Sequence, residues 1–233
     1  LVGSEMCIRD SDGTQQCVIT DPQGNEHKLV LPMPGRFNVA NALVALAVSE
    51  LAGLPIEDAL AGIAHVVVPG RLQRIDEGQD YLAIVDYAHK PAAVAAVIAT
   101  LRSEIKGRLC VVLGAGGDRD ASKRAIMGRE AARGSDLFIV TDDNPRSEDP
   151  AVIRAAVEAG AYELPTEERG EVRNIGDRAA AIRAAIAWAE PGDAVLVAGK
   201  GHETGQNVNG VIHHFDDREE VRAALQERRT GSL

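Results

Sequence analysis

From residue 82 onward, short apolar runs alternate with longer stretches whose apolar residues recur at helical spacing. LAIVDY (82–87), RLCVVLG (108–114), DLFIVT (136–141) and AVLVAGK (194–200) are nearly continuous in apolar residues. Such runs predict strands buried on both faces rather than strands with one wet side. Between and after them, PAAVAAVIATLRSE (91–104), ASKRAIMGREAARG (121–134), DPAVIRAAVEAGA (149–161), DRAAAIRAAIAWAE (177–190) and DREEVRAALQER (217–228) predict helices, and VIHHF (211–215) a further strand. Strand–helix alternation of this kind predicts an α/β fold, a mostly parallel sheet with helices on both faces.

Upstream the pattern differs. GRFNVANALVALAVSELAG predicts a helix over 38–51 closed by Gly53, and PIEDALAGIAHV a second, short helix opened by Pro55. β-rich runs then flank the turn-like EGQD (77–80), and Val-Pro-Gly at 68–70 marks a domain boundary. The opening LVGSEMCIRDS has no initiator Met, no basic n-region and no apolar h-region. Residues 1–11 are therefore expected to be a non-native scar and are set aside from the fold.

Composition narrows the class. Apolar residues make up 45 % of the 233 positions but aromatics 3 %, so the core has to be aliphatic. A net charge of −10 argues against nucleic acid and against anionic membrane surfaces as partners. No apolar run reaches the ~18 residues a membrane span needs. Cys7, Cys17 and Cys110 are odd in number and lack metal-type spacing, which points to a reducing, cytoplasmic setting and to no metal site.

In open parallel sheets ligands bind beyond the carboxyl ends of the strands. Four predicted loops there carry chemistry: VDYAHKP (85–91), GAGGDRD (114–120), TDDNPR (141–146) and AGKGHETG (198–205). GAGGDRD is one glycine short of a dinucleotide fingerprint, because Arg119 stands where the third glycine belongs. A redox cofactor, a plain turn, and an Arg119 aimed at a ligand carboxylate remain three readings of it. In TDDNPR, Ser147 is expected to cap the following helix, which Pro150 starts. That leaves Asp143, Asn144 and Arg146 unexplained. Pro145 stiffens Asn144, whose amide both donates and accepts, while Arg146 offers a fork of donors. The set suits an amino-acid zwitterion.

After the last strand, Glu203 beside glycines such as Gly199 suits an ammonium group, while Lys200 reads as solvated. His202 has no second metal ligand at usual spacing. Asp86 at a strand end suits ribose hydroxyls; Asn38 and Asn41 share one helical face. No G-x-x-x-x-G-K-[ST] occurs in the chain, so its own motifs do not cradle a triphosphate.

GRFNVANALVA, PGRLQRID, VDYAHKP, GAGGDRD with its following KR and MG, TDDNPR and GKGHE occur in this order from about residue 30 to 216. Together they resemble the Mur ligases of peptidoglycan synthesis, and within them the C-terminal part of the MurE-type, diaminopimelate-adding branch. The resemblance implies a Rossmann-like C-terminal ligase domain over 69–233, preceded over 12–68 by the tail of a central ATP-binding domain. It implies ATP and Mg2+, bound mainly by parts outside this chain, with UDP-MurNAc-L-Ala-D-Glu and meso-diaminopimelate as the other partners. The P-loop and the carbamylated lysine of the family find no match here, so the chain alone is expected not to turn over. The implied reaction activates the D-glutamate carboxylate as an acyl phosphate, which the amine of the diamino acid then attacks.

Carried over by position, Asn38 and Asn41 correspond to adenine-side contacts, and Arg71 and Asp86 to nucleotide contacts. Arg119, Asp143, Asn144, Arg146, Gly199 and Glu203 correspond to the pocket for the incoming diamino acid. His89 lies in a matching loop without an assigned role, because Lys90 stands where relatives often have Thr; His202 also stays unassigned. The Arg of DNPR implies meso-diaminopimelate rather than lysine, since only the former carries a far carboxylate. A lysine-adding relative, a Rossmann-type NAD-binding oxidoreductase and a non-catalytic amino-acid-binding module are the competing readings.

Overall fold

The computed structural model describes residues 3–9, 15–21, 23–33 and 35–233, the side chains of 3–9 and 36 excepted. The chain divides into two compact units, Leu1–Val68 and Pro69–Leu233. Of the residues set aside as a scar, 1, 2, 10 and 11 lie outside the described residues, while Gly3–Arg9 forms a strand.

In the first unit, β1 (Gly3–Arg9), β2 (Gln15–Thr20) and β3 (Glu26–Leu31) make an antiparallel meander. It is followed by α1 (Arg36–Leu51) and α2 (Ile56–Ile63). The strands over 15–31 are not among the elements predicted from the sequence. Yet β2 alternates buried and half-buried positions, as a strand with one covered face does. Cys17, Ile19, Leu29 and Leu31 from the sheet meet Val39, Ala42 and Leu46 of α1 and Leu60 of α2 in one core. The helix begins at Arg36, ahead of the expected Asn38, and Pro55 caps α2 from just outside it. Cys17 is disulfide-bonded and Cys110 is a free thiol whose burial pushes its pKa up.

His27 lies between two acids, with Nε2 3.1 Å from Asp21 Oδ2 and Nδ1 3.4 Å from Glu57 Oε1. The hydrogen bond to Asp21 raises its pKa most; burial opposes this and Glu57 adds to it. A histidine raised on folding contributes stability that is complete below its unfolded pKa of ~6.5. That contribution is lost as pH rises through the folded value. Amide exchange in β3 and α2 is therefore expected to be faster at about pH 8.5 than at about pH 6, beyond the intrinsic pH effect. In His27→Gln this excess should vanish; an unchanged excess would assign it to another group.

The second unit holds a six-stranded sheet of order β4-β5-β9-β6-β7-β8. β4 (Gln73–Arg74) is antiparallel to β5 (Leu82–Asp86), and the remaining neighbours run parallel: β6 (Leu109–Leu113), β7 (Leu137–Val140), β8 (Glu171–Asn174) and β9 (Ala194–Ala198). The helices are α3 (Pro91–Arg102), α4 (Lys123–Gly134), α5 (Pro150–Tyr162), α6 (Arg178–Trp188) and α7 (Asp217–Thr230). A hairpin, β10 (Gly205–Val208) with β11 (Val211–His214), lies outside the sheet.

Successive side chains of a strand point to opposite faces, and both faces are used. Leu109, Val111 and Leu113 pack with Val94, Ile98, Met127 and Val157 under α3, α4 and α5. Cys110 and Val112 pack with Ile182, Ile186, Val221 and Leu225 under α6 and α7. Each fully buried Val, Leu or Ile contributes on the order of 1.5–3 kcal/mol, so this sheet is a rigid base for its loops. β9 enters between β5 and β6, although β6 follows β5 in the chain. This change of strand order gathers the loops after β5, β6, β7 and β9 at one edge.

Candidate functional site

A cleft of about 230 Å³ opens at the carboxyl ends of those strands. Arg119, Asp143, Asn144, Arg146, Gly199 and Glu203 all line it, together with Tyr87, His89 and Lys123. The residues that sequence motifs assigned to an amino-acid pocket thus come from three separate loops to one place.

Backbone contact between the β6 and β7 loops builds the cleft. Gly117 N donates to Asn144 O at 2.9 Å, and a Cβ on Gly117 would lie 1.9 Å from Pro145 O. Glycine is required there because the neighbouring loop's backbone occupies the space. A dinucleotide reading needs that space for pyrophosphate, and it fails on this geometry. Side chains brace the same junction. Arg124 grips Glu148 with bonds of 2.9 and 2.8 Å, and this pairing holds the Glu148 carboxyl below its usual pKa. Ser147 Oγ donates to Asp118 Oδ1 at 2.7 Å. Ser147 is therefore not the helix cap expected from sequence; Asp149 takes that place, accepting from Ala151 N at 2.8 Å.

Arg146 has φ 52°, a left-handed backbone that costs a non-glycine residue roughly 1–3 kcal/mol. Two backbone bonds to the hairpin over-determine it: Arg146 N to Asn207 O at 2.9 Å, and Asn209 N to Arg146 O at 2.7 Å. Its guanidinium donates to Gly117 O at 2.7 Å and reaches Asn144 O at 3.5 Å, both uncharged acceptors. Among the described residues no carboxylate pairs with it. Nearby Arg124, Arg154 and Arg178 each have one, in Glu148, Asp142 and Asp217. Arg119 is also without an acid, reaching only Asp118 O at 3.3 Å.

Two acids balance these cations. Asp143 is 8 % exposed, and its Oδ2 lies 2.7 Å from where a Cβ on Gly199 would stand. The absence of that Cβ keeps the carboxylate open to the cleft. Glu203 Oε2 accepts from Asn144 Nδ2 at 2.9 Å. Lys200, read from sequence as solvated, is instead 0 % exposed. It donates to Gly205 O at 2.6 Å and Asn144 Oδ1 at 3.3 Å. A lysine directly after a fully buried strand was the available signal, outweighed by its glycine neighbours.

Of the expected nucleotide contacts, Arg71 and Asp86 do not line this cleft. Asp86 is buried, and its two carboxylate oxygens accept Leu72 N and Ala88 N, each at 2.7 Å. Burial raises its pKa, opposed by those two donors and by Arg71. The simple expectation of a carboxylate standing open for ribose is corrected: its first duty is to hold the turn at 71–72. Arg71 is exposed with its guanidinium 4.5 Å above the Tyr87 ring. Asn38 and Asn41 belong to the first unit, where the former is buried in α1 and the latter is exposed. His89 donates from Nδ1 to Tyr87 O at 2.8 Å and packs tilted against the Tyr87 ring, with centroids 4.6 Å apart, as His202 does at 5.1 Å. Lys90 precedes α3 without a capping bond from its side chain. Among the described residues no group of three His, Cys, Asp or Glu side chains could hold a metal ion.

Residues 70–201 match the family model described as "Mur ligase, glutamate ligase domain". The chain belongs to the Mur ligase family. It is 57 % identical over 232 residues to a UDP-N-acetylmuramoyl-L-alanyl-D-glutamate–2,6-diaminopimelate ligase of Corynebacterium glutamicum, covering 99 % of this chain and 45 % of that protein. It is 62 % identical over 216 residues to the protein of the same description from Corynebacterium efficiens, covering 92 % and 41 %. A solved ligase of that description superposes with a TM-score of 0.69 at 36 % identity, over 97 % of this chain and 45 % of its own. The chain therefore spans less than half the length of these Mur ligases. No described helix is long and apolar enough to cross a membrane.

Proposed function

We propose that the cleft holds the incoming diamino acid of a Mur ligase, and that this amino acid is meso-diaminopimelate. In this reading residues 69–233 are the C-terminal domain and 12–68 the tail of the ATP-binding domain. The whole enzyme is an ATP-dependent, cytoplasmic amide ligase acting on UDP-MurNAc-L-Ala-D-Glu. The observation that carries it is Arg146: a guanidinium lining the cleft, held by two carbonyls and no acid. Such a group is incomplete until a carboxylate arrives, and diaminopimelate brings one at its far end where lysine does not.

ATP would supply activation of the acceptor carboxylate, which an amine cannot attack productively while it is a free anion. The residues present do not fit ATP or Mg2+ on their own: the sequence holds no phosphate-loop motif, and among the described residues no acidic or histidine cluster could hold a metal ion. What this chain does is position. Asp143 and Glu203 attract ammonium, Arg146 and Arg119 attract carboxylate, and a ligand fixed at several points presents its reacting amine with little entropy left to lose.

The test is a chimaera in which this chain replaces the matching part of the Corynebacterium glutamicum relative. ADP release in the presence of the UDP-linked dipeptide is expected to require meso-diaminopimelate. Equal release with L-lysine would defeat the reading.

A further inference from the structure

We propose that Lys200 is a positioning residue for this pocket, a buried ammonium that sets the orientation of Asn144 and Glu203 from beneath; the proposal rests on the diamino-acid reading above. The side chain is 0 % exposed, and among the described residues no other lysine is buried. An enclosed cation is costly, and an apolar side chain of equal length commonly serves stability at least as well. Its use is therefore sought in geometry.

Lys200 Nζ reaches three partners at once, two at the end of its own 198–205 loop and one in the β7 loop: Gly205 O at 2.6 Å, Glu203 Oε2 at 3.6 Å and Asn144 Oδ1 at 3.3 Å. An ammonium has no lone pair to offer, so the atom of Asn144 facing it has to be the oxygen. Asn207 N, also a donor, lies 2.9 Å from the same Oδ1. Together they leave Nδ2 to point at Glu203, which it does at 2.9 Å. The amide is thereby fixed in one of its two flip states, and the Glu203 carboxylate is aligned through it. The bond to Gly205 O also ties down the start of the hairpin whose Asn207 and Asn209 hold Arg146. Lys200 touches no ligand in this scheme; it acts through Asn144 and Glu203.

The experiment titrates the 233-residue chain and its Lys200→Met and Lys200→Ala variants with meso-diaminopimelate and with L-lysine, alongside thermal unfolding. Lys200→Met is expected to stay folded and to lose about 10- to 100-fold in affinity for both ligands, the scale of a charge-assisted bond. Their affinity ratio should stay the same, because Arg146 still reads the far carboxylate. In Lys200→Ala, propylammonium is expected to restore binding where propanol does not, a rescue that a packing role would not show. Unchanged affinities in a folded Lys200→Met would overturn the proposal and leave the amino-acid reading standing. So would variants that unfold and gain nothing from propylammonium. Failure of the unaltered chain to bind meso-diaminopimelate would remove both.

Discussion

Arg146→Ala is expected to weaken binding of meso-diaminopimelate to the chain by about 10- to 100-fold, while L-lysine binding stays within a few-fold. The estimate follows from a hydrogen bond to a charged group, worth roughly 1.5–3 kcal/mol. The asymmetry between ligands matters more than the size. With meso-diaminopimelate the guanidinium exchanges two carbonyl contacts for a carboxylate; with lysine it keeps only the carbonyls and its charge has no counter-charge, which disfavours lysine in the unaltered chain. Removing the side chain removes both effects, so L-lysine affinity is steady or slightly improved. Calorimetry on the two ligands measures this directly. Equal losses for both would mean that Arg146 supports the loop rather than reading the ligand.

The second large effect is on stability. Arg178 and Asp217 form an ion pair with both side chains at 0 % exposure. Two bonds of 2.7 and 2.8 Å join them. Burial alone would lower the pKa of Arg178; Asp217 more than offsets this, and the net direction is upward. Asp217→Ala strands a desolvated guanidinium, an event that costs about 3–5 kcal/mol. Denaturant unfolding of the variant should show that loss, with a midpoint lower by about 10 °C on heating. A loss under about 1 kcal/mol would mean that water reaches the pair. The damage should also reach the cleft, because Arg178 donates to Ala198 O at 2.9 Å and Asp142 O at 3.3 Å, beneath the β9 and β7 loops.

The parallel sheet was legible because its strands are covered on both faces, so β5, β6, β7 and β9 appear as unbroken apolar runs. β8 (EVRN) and β10 (GQNV) escaped notice for the opposite reason. They are short and polar, one at a sheet edge with its end residues exposed and one in a hairpin whose residues are all half-buried. The gathering of Arg119, Asp143, Asn144, Arg146, Gly199 and Glu203 in one cleft was legible because these residues sit in loops beyond the carboxyl ends of the strands. Lys200 was not, since a charge among glycines looks solvated until the hairpin that covers it is known. Ser147 looks like a cap in the sequence because its actual partner, Asp118, lies 29 residues upstream in another loop. Asp86 shows a similar limit: a carboxylate at a strand end looks like a ligand for sugar hydroxyls, but the turn at 71–72 claims its oxygens first.

The most direct measurement is a structure of the chain with meso-diaminopimelate bound. The account requires the far carboxylate within about 2.7–2.9 Å of the Arg146 guanidinium nitrogens, with an ammonium between Asp143 and Glu203. A ligand whose far carboxylate points to solvent, with Arg146 still resting on Gly117 O, would contradict it.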